Sequence, residues 1–270
     1  MKPLVIFFTL VATAAGAADT TSMRPLIHAH AHNDYEHRRP LLDALDQGFC
    51  SVEADVWLVD GHLLVAHDLK DARPERTLEA LYLDPLRARI RQNGGRVFRN
   101  GPTLTLLVDV KSDATNTYLA LRELFRRYEE MLTKFHPNKT ETNAVTVIIS
   151  GNRARELMKG EAVRLAAYDG RLTDLGAGEP RHFIPLISDN WALHFKWKPR
   201  GESDSLPTED RRKLKQIVEQ AHREGHRVRF WGLPDSPVVW RTLAETGVDL
   251  INTDDLAGLG QFLRASQDGR

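Results

Sequence analysis

Short apolar runs alternate with amphipathic helical patterns along most of this 270-residue chain. Each apolar run contains β-branched or aromatic residues, and most end at polar residues or glycine, as buried strands do. Between these runs, apolar residues recur with the period of a helix. Strands that alternate with helices indicate βαβ units and therefore a parallel sheet. We predict strands over 25–32, 49–59, 63–67, 103–110, 145–150, 163–168, 183–188, 227–232 and 250–253.

Glycines mark the ends of two predicted helices, because Gly225 and Gly247 lie where C-terminal caps are expected. This many strands within residues 18–270 fits a closed barrel better than an open sheet. A doubly wound sheet would carry a glycine-rich phosphate loop after its first strand, whereas this strand ends in His-Ala-His-Asn-Asp. We therefore predict one α/β domain, a (β/α)8 TIM barrel over residues 18–270, with helices over 40–47, 115–132, 153–159, 208–224 and 237–246.

The first residues have the pattern of a secretory signal. Lys2 is followed by an apolar run over 4–12 and then by small residues that end in Ala15-Gly16-Ala17. The run is too short to cross a bilayer, which needs ~20 residues. We predict a cleaved signal peptide over 1–17, and hence a secreted or periplasmic protein, in preference to an uncleaved anchor or a buried first helix.

The charge balance narrows the classes of partner. Lys and Arg number 37, as do Asp and Glu, so the formal net charge is zero and the basic excess of a nucleic-acid binder is missing. The one cysteine, Cys50, cannot form an internal disulfide, so stability must come from a large core. We expect a monomer with no nucleic-acid partner and at most peripheral membrane contact.

Three carboxylates occupy the predicted strands where a barrel enzyme carries its chemistry. Glu53 and Asp55 alternate to the same side of one strand, roughly 6–7 Å apart. Asp109 lies near the end of the next parallel strand, and carboxyl ends of barrel strands build active sites. Three carboxylates without a cysteine suit Mg²⁺ or Ca²⁺. A solvated surface strand is the alternative, but the flanking residues of Glu53 and Asp55 are apolar.

Two histidines complete the predicted site, because His32 and His67 both end apolar strands that flank the carboxylate strand. Cleavage of a phosphodiester needs one group to deprotonate the attacking oxygen and another to protonate the leaving oxygen. Histidine suits both roles because its pKa lies near neutrality. The residues assign neither histidine to one role. Lys111, two positions after Asp109, would stabilise the charge on phosphate together with the cation.

At these residues the chain resembles the superfamily of glycerophosphodiester phosphodiesterases and phosphatidylinositol phospholipase C-like enzymes. The resemblance rests on a histidine ending strand 1, an E-x-D on strand 2, a His-Asp ending the next strand and an acidic residue before a lysine on strand 3. It implies a TIM barrel, a small-molecule or lipid phosphodiester as substrate, and one divalent cation. It also implies catalytic His32 and His67 and the metal ligands Glu53, Asp55 and Asp109.

The chain also departs from that superfamily. Glycerophosphodiesterases usually have His-Arg-Gly at strand 1, but this chain has His32-Asn33-Asp34 and so lacks a phosphate-binding arginine there. Asp109 is aspartate, as in sphingomyelinase D-like members. The Ala-His-Asn-Asp-Tyr sequence is similar to the branch named for altered inheritance of mitochondria. The resemblance therefore implies the chemistry more firmly than the substrate.

Substrate contacts and two competing functions complete the expectations. An H-x-H zinc site of the amidohydrolase type would use His28, His30 and His32, but later strands lack its other histidines. A lipid- or glycan-binding barrel without turnover is the other alternative. The insertion 190–207 mixes aromatic residues and lysines that could receive a headgroup. The candidate substrate-binding residues are Asn33, Asn152, Asp169, Trp191 and Trp231.

Overall fold

The protein is described by a computed structural model that covers residues 24–199, 201 and 203–268. The predicted signal peptide over 1–17 lies outside the described residues. Among the residues that are described, no helix is both long enough and apolar enough to cross a membrane.

Eight parallel strands close into a barrel, because the first strand pairs with both the second and the last. One further strand extends the second strand as an antiparallel hairpin, and a separate two-stranded hairpin lies beside the barrel. The predicted TIM barrel is therefore confirmed. The strands are β1 (Leu26–Ala31), β2 (Phe49–Val59), β3 (His62–Val65), β4 (Leu104–Val110), β5 (Lys134–Phe135), β6 (Thr140–Glu141), β7 (Val145–Gly151), β8 (Ala166–Gly170), β9 (Leu186–Asn190), β10 (Arg227–Trp231) and β11 (Leu250–Thr253).

Helices connect the barrel strands and cover their outer face. The fourth of the predicted helices has the predicted bounds, since Gly225 adopts a left-handed φ of 86° and ends it. The helices are α1 (Leu42–Asp46), α2 (Asp84–Gln92), α3 (Ala114–Arg126), α4 (Arg155–Lys159), α5 (Trp191–His194), α6 (Thr208–Glu224), α7 (Pro237–Glu245) and α8 (Leu256–Asp268).

Three of these helices, α2, α5 and α8, were not predicted from the sequence. α8 contains Gly258 and Gly260, which disfavour helix formation, but Leu259 and Leu263 bury against the barrel. α2 buries only Leu86 and Ile90 among many charged residues, so its apolar period is weak. The stability of these helices comes from packing against the barrel, which the local sequence pattern does not show.

Alternation along the strands fills the barrel in layers. On β4, Thr105, Leu107 and Asp109 share one face, and Leu107 belongs to a small buried cluster that is separate from the outer core. The outer core joins the other strand face to the helices. The apolar cluster thus separates a polar layer at the strand starts from another at the strand ends. The inner cluster comprises Leu107, Phe135, Ile148, Ala167, Leu186 and Leu250.

Candidate active site

The three predicted metal-binding carboxylates meet at the C-terminal end of the barrel. Glu53, Asp55 and Asp109 each offer an oxygen, and these oxygens lie within 4.8 Å of one another. The strand register explains this arrangement, because Asp55 of β2 is paired directly with Asp109 of β4. Glu53 and Asp55 are buried, and the side chain of Asp109 is 18% exposed. Parallel pairing therefore brings together residues that are more than fifty positions apart in sequence.

Burial and mutual repulsion govern the protonation of these carboxylates. Burial, followed by the charge of Glu53, raises the pKa of Asp109 to about 6. The same two causes raise the pKa of Asp55. Burial also opposes ionisation of Glu53, but the guanidinium of Arg229, 2.6 Å away, lowers the pKa of Glu53 below its usual value. The cluster thus has more negative charge than its surroundings easily stabilise, a situation that a bound cation would relieve.

The carboxylates also have oxygens that could coordinate a hard divalent cation. Oδ1 of Asp55 is buried and has no hydrogen-bond partner among the described residues. Oδ2 of Asp55 lies 2.9 Å from Nζ of Lys111, which also lies 3.3 Å from Oδ1 of Asp109. Mg²⁺ and Ca²⁺ take oxygen ligands, and the unpartnered Oδ1 of Asp55 is available as one. Glu53, Asp55 and Asp109 are therefore the residues that would hold the cation.

His67 lies against this cluster. Its Nδ1 is 3.0 Å from Oδ2 of Asp55, and its side chain is 60% exposed. The hydroxyl of Tyr35 donates to the same carboxylate oxygen at 2.8 Å and lies 3.3 Å from Nδ1 of His67. In the described part of the chain, Nε2 of His67 has no hydrogen-bond partner. Asp55 thus orients the ring while Nε2 remains available to a substrate.

His32 is oriented by a separate carboxylate. Its Nδ1 lies 2.9 Å from Oδ1 of Asp254, and the amide of Asn33 donates to the same oxygen at 3.3 Å. Burial lowers the pKa of His32, but the hydrogen bond to Asp254 and the charge of Glu53 outweigh burial, so the pKa is raised overall. Across residues 24–268 as described, Nε2 of His32 also lacks a hydrogen-bond partner. Both imidazoles therefore use Nδ1 for orientation and keep Nε2 free.

The two histidines and the carboxylates line one cavity of about 220 Å³ at this end of the barrel. Lys111, Asn33 and Trp231, all predicted site residues, line it as well. The complete lining comprises His32, Asn33, Glu53, Asp55, His67, Asp109, Lys111, Ser150, Arg171, Arg229 and Trp231.

Sequence reasoning missed two arginines of this cavity. Arg229 donates to Glu53, and Arg171 donates through Nη1 to Asp169 at 2.8 Å. The guanidinium of Arg171 lies 4.9 Å from the ring centroid of Trp231, so it covers one face of the indole. Strand alternation could have identified Arg229, because it lies two positions before Trp231 on β10. Arg171 follows β8 in a loop, where no periodic pattern marks it.

Three of the predicted substrate-binding residues do not line the cavity. Asn152 donates to the backbone oxygens of Lys111 and Ser112. Asp169 is fully buried and positions Arg171 by accepting a hydrogen bond from its guanidinium. Trp191 is 1% exposed, and so does not face a substrate. It packs inward because its ring stacks on Phe195 with centroids 4.1 Å apart.

The alternative zinc site does not form at β1. His28 bonds through Nδ1 to the backbone oxygen of Asp249, while His30 is buried between Ser51 and Glu53. Burial, followed by the charge of Arg229, lowers the pKa of His30 to about 3. The one cluster of potential metal ligands among the described residues contains no histidine. The three histidines of β1 and its end therefore have three different environments.

Comparison with known proteins assigns the family. The model of the AIM6-like phosphodiesterase domain matches residues 19–169, and that of the glycerophosphoryl diester phosphodiesterase family matches residues 227–257. Altered inheritance of mitochondria protein 6 from Eremothecium gossypii is 32% identical over 286 residues, which cover 92% of this chain and 72% of that protein. The chain belongs to the AIM6-like phosphodiesterase family. A homologue from Arthroderma benhamiae is 33% identical and matches over 87% of this chain and 84% of its own length.

Solved structures support the fold. A glycerophosphodiester phosphodiesterase from Parabacteroides distasonis has a TM-score of 0.52 at 14% identity, covering 89% of this chain and 98% of that chain. One from Agrobacterium tumefaciens has a TM-score of 0.52 at 17% identity, covering 89% and 100%. As a member of the AIM6-like phosphodiesterase family, the protein is a phosphoric diester hydrolase.

Proposed function

We propose that this protein cleaves a phosphodiester by a metal-dependent reaction in which His32 and His67 transfer the protons. The observation that carries the proposal is the shared cavity, in which two histidines with unpartnered Nε2 atoms, among the residues described, border a three-carboxylate cluster. A divalent cation held by Glu53, Asp55 and Asp109, Mg²⁺ or Ca²⁺, would neutralise charge on the non-bridging phosphate oxygens. Neither binding alone nor structural stability requires two such histidines.

The chain's own cations would hold the phosphate. Lys111 and Arg171 both line the cavity, and Lys111 already contacts Asp55 and Asp109. A cation bound by these carboxylates would take over their charge, which would leave the ammonium of Lys111 free to contact the phosphate. Burial lowers the pKa of Lys111, but Asp109 and Asp55 raise it overall, so Lys111 stays protonated at neutral pH. Arg171 supplies the planar guanidinium that strand 1 lacks.

Proton transfer completes the reaction. The oxygen of a water molecule, or of a hydroxyl adjacent to the diester, attacks phosphorus and loses its proton to Nε2 of one histidine. The bond from phosphorus to the leaving oxygen breaks, and the other histidine protonates that oxygen. Asp254 stabilises His32 as a cation, and Asp55 orients the ring of His67 through Nδ1. Attack by water gives an open phosphomonoester, while attack by the substrate hydroxyl gives a cyclic phosphate.

The lining of the cavity favours a hydroxyl-rich headgroup. Trp231 could contribute to a cage for a quaternary ammonium, but Arg171 covers one of its faces. With a divalent cation bound to Glu53, Asp55 and Asp109, the cations Arg171, Lys111 and Arg229 would leave the cavity with a net positive charge, which disfavours a cationic headgroup there. The proposed substrate is therefore a glycerophosphodiester or a phospholipid with an uncharged polyol headgroup, in preference to a choline ester.

The cellular setting is part of the proposal. Because the pattern of residues 1–17 is that of a secretory signal, we propose that the mature protein acts outside the cytoplasm. We further propose that it acts as a monomer on a small or lipid substrate, with at most peripheral membrane contact. N-terminal sequencing of exported protein tests the first statement, and sedimentation tests the second. Retention of residues 1–17 or a stable dimer would contradict them.

Hydrolysis of a diester panel tests the function. The panel contains glycerophosphoinositol, glycerophosphocholine, phosphatidylinositol, lysophospholipids and sphingomyelin, each with EDTA and with Mg²⁺ or Ca²⁺ restored. We expect metal-restored cleavage, fastest for the polyol headgroups, that is lost in His32→Ala and His67→Ala. The matched control His62→Ala changes an exposed histidine of the β2–β3 hairpin and should leave the rate unchanged. Failure of folded, metal-loaded protein to cleave any diester would contradict the proposal.

A further inference from the structure

The opposite end of the barrel contains a second and larger cavity. It measures about 540 Å³ and lies where β4, β7, β9 and β10 begin, with the β5–β6 hairpin at its edge. This volume is within the range of small-molecule sites. The lining comprises Thr103, Thr105, Thr133, Phe135, Asn138, Lys139, Thr140, Thr142, Thr146, Arg181, His182, Pro185, Gly225 and Arg227.

The lining is cationic and rich in hydroxyl groups. Lys139, Arg181 and Arg227 contribute positive charges, of which, among the described residues, only that of Lys139 is paired, with Glu141 at the edge of the cavity, and the lining itself contains no Asp or Glu. Six threonines line the cavity as well, although the Thr103 hydroxyl already donates to the backbone oxygen of Asn143 and the Thr133 and Thr146 hydroxyls bond to each other. Because the whole chain has zero formal net charge, this is a local concentration of positive charge. Such a lining complements an anion with several oxygen acceptors.

Arg227 is the strongest indication, because its charge is poorly compensated. Its Nη2 donates to the Thr105 hydroxyl at 3.2 Å, and no ion pair of Arg227 is present among the described residues. The charge of Asp249, just before β11, acts on Arg227 from a distance, but Oδ2 of Asp249 accepts from Nε2 of His222 and from the backbone N–H of Val228. Burial lowers the pKa of Arg227. A guanidinium in this setting is stabilised when an anion joins it.

Arg181 provides a second cation at the mouth of the same cavity. It is exposed and forms neither an ion pair nor a side-chain hydrogen bond within residues 24–199, 201 and 203–268. Its stem packs over Gly225, where an added Cβ would lie 3.4 Å from Cδ of Arg181. Lys139, in contrast, pairs with Glu141 on the hairpin. Arg181 is therefore held beside the cavity with its guanidinium free.

We propose that this N-terminal cavity binds a small organic phosphate with at least two anionic groups, held by Arg227, Arg181, Lys139 and the threonine hydroxyls. Two or more anionic groups match cations that lie both inside the cavity and at its mouth. The site is separate from the catalytic cavity, because the apolar cluster that includes Leu107 and Ile148 lies between the two strand ends. The proposal does not rest on the proposed catalytic function.

Calorimetric titration with pyrophosphate tests this site on the full mature chain in EDTA. Without a metal, Lys111, Arg229 and Arg171 stay paired with Asp55, Glu53 and Asp169, so the catalytic cavity attracts the anion only weakly. We expect one binding site, weakened at least about tenfold in Arg181→Ala and Arg227→Gln, since each variant removes charge-assisted hydrogen bonds. The matched control Arg223→Ala removes an exposed arginine of α6 outside the cavity, and Arg171→Ala removes a cation of the catalytic cavity. Both controls should bind like the parent.

Three results would overturn the proposal. These are the absence of binding at millimolar pyrophosphate, unchanged affinity in folded Arg181→Ala, and loss of binding in Arg171→Ala. If Arg227→Gln does not fold, the exposed Arg181 decides the test alone. The proposal is supported if pyrophosphate binds more weakly to Arg181→Ala and Arg227→Gln and equally well to Arg223→Ala and Arg171→Ala.

Discussion

The two ends of this barrel treat positive charge differently. At the C-terminal end, Lys111 contacts Asp55, Arg229 contacts Glu53, and Arg171 contacts Asp169. At the N-terminal end, neither Arg181 nor Arg227 has an ion-pair partner within the described part of the chain. We call the C-terminal end balanced in the sense that each of these three cations has a carboxylate partner, which a bound phosphate can replace during the reaction. We call the N-terminal end unbalanced because Arg181 and Arg227 lack such a partner among the described residues, so an anionic ligand would have to compensate their charge.

One strand joins the two ends. Arg227, Arg229 and Trp231 alternate with the outward-facing Val228 and Phe230 along β10, so they share its inner face at three depths. Arg227 lines the far cavity, while Arg229 and Trp231 line the catalytic one. The same residue type therefore has a carboxylate partner at one depth and only a hydroxyl at the next. Substitutions on this strand compare the two ends directly.

The largest effect is expected from the balanced end, at Asp55. Asp55→Asn removes a metal ligand and weakens the contacts of His67 and Lys111, so kcat/KM should fall at least about a thousandfold. Metal affinity, measured by calorimetry, should fall as well. Asp68→Asn is the matched control, since it removes an exposed carboxylate beside His67 and should leave both values nearly unchanged. An Asp55→Asn enzyme with activity within tenfold of the parent would contradict the assignment.

The next effect concerns stability at the same end. Arg229→Met leaves the buried Glu53 without its guanidinium, so the free energy of unfolding should fall by about 3 kcal/mol. Urea unfolding measures this change. The double variant Glu53→Gln with Arg229→Met should recover part of the loss, because no charge is then left unpaired. Equal stability of Arg229→Met and the parent would show that the pair does not balance this end.

Asp34 tests whether every buried carboxyl at this end is compensated. It accepts from the Leu41 N–H at 2.5 Å and from the Tyr82 hydroxyl at 2.9 Å, and burial raises its pKa to about 6. A raised carboxyl pKa means that the folded state holds its proton more tightly than the unfolded state. Stability should therefore decrease by about 3 kcal/mol as the pH rises from below 4 to above 6.

Asp34→Asn should remove that part of the pH dependence, because the amide cannot ionise. Urea unfolding at several pH values compares it with Asp46→Asn, which changes an exposed carboxylate. The same pH dependence in Asp34→Asn and the parent would contradict the raised pKa.

The smallest effect is expected at the unbalanced end. Arg227→Met replaces a poorly compensated charge by an apolar side chain, so the free energy of unfolding should change by less than about 1 kcal/mol or increase. The contrast with Arg229→Met, two positions along the same strand, is the informative quantity. A loss at Arg227→Met as large as at Arg229→Met would remove the distinction between the two ends.

Much of the barrel and of the carboxylate cluster could be predicted from sequence. The apolar runs, and the polar or glycine residues that end them, predicted strands such as Phe49–Val59. The alternation of side chains along that strand placed Glu53 and Asp55 on one face. α8 was missed because its glycines weaken the local helical signal, and its packing is tertiary. Boundaries shifted at β8 and β9, where barrel pairing rather than local composition sets the ends.

The polar side chains around the cluster were harder to predict. Tyr35 reaches Asp55 from a short 3-10 turn, and Arg171 reaches the cavity from a loop, so neither carries a periodic signal. Trp191 shows the opposite error, because an aromatic residue beside lysines suggested a headgroup site but belongs to the core. Sequence patterns report which face of a strand is buried, whereas loop side chains depend on the assembled fold.

The central claim is that three carboxylates hold a cation beside two histidines that transfer protons in one reaction. The most direct test is the rate of glycerophosphodiester cleavage by metal-stripped protein after Mg²⁺ or Ca²⁺ is restored, compared among the parent, His32→Ala, His67→Ala and the double variant. We predict metal-restored cleavage, a loss of about a hundredfold or more in each single variant, and little further loss in the double variant. Cleavage that persists in EDTA, or that survives both histidine substitutions, would contradict the account.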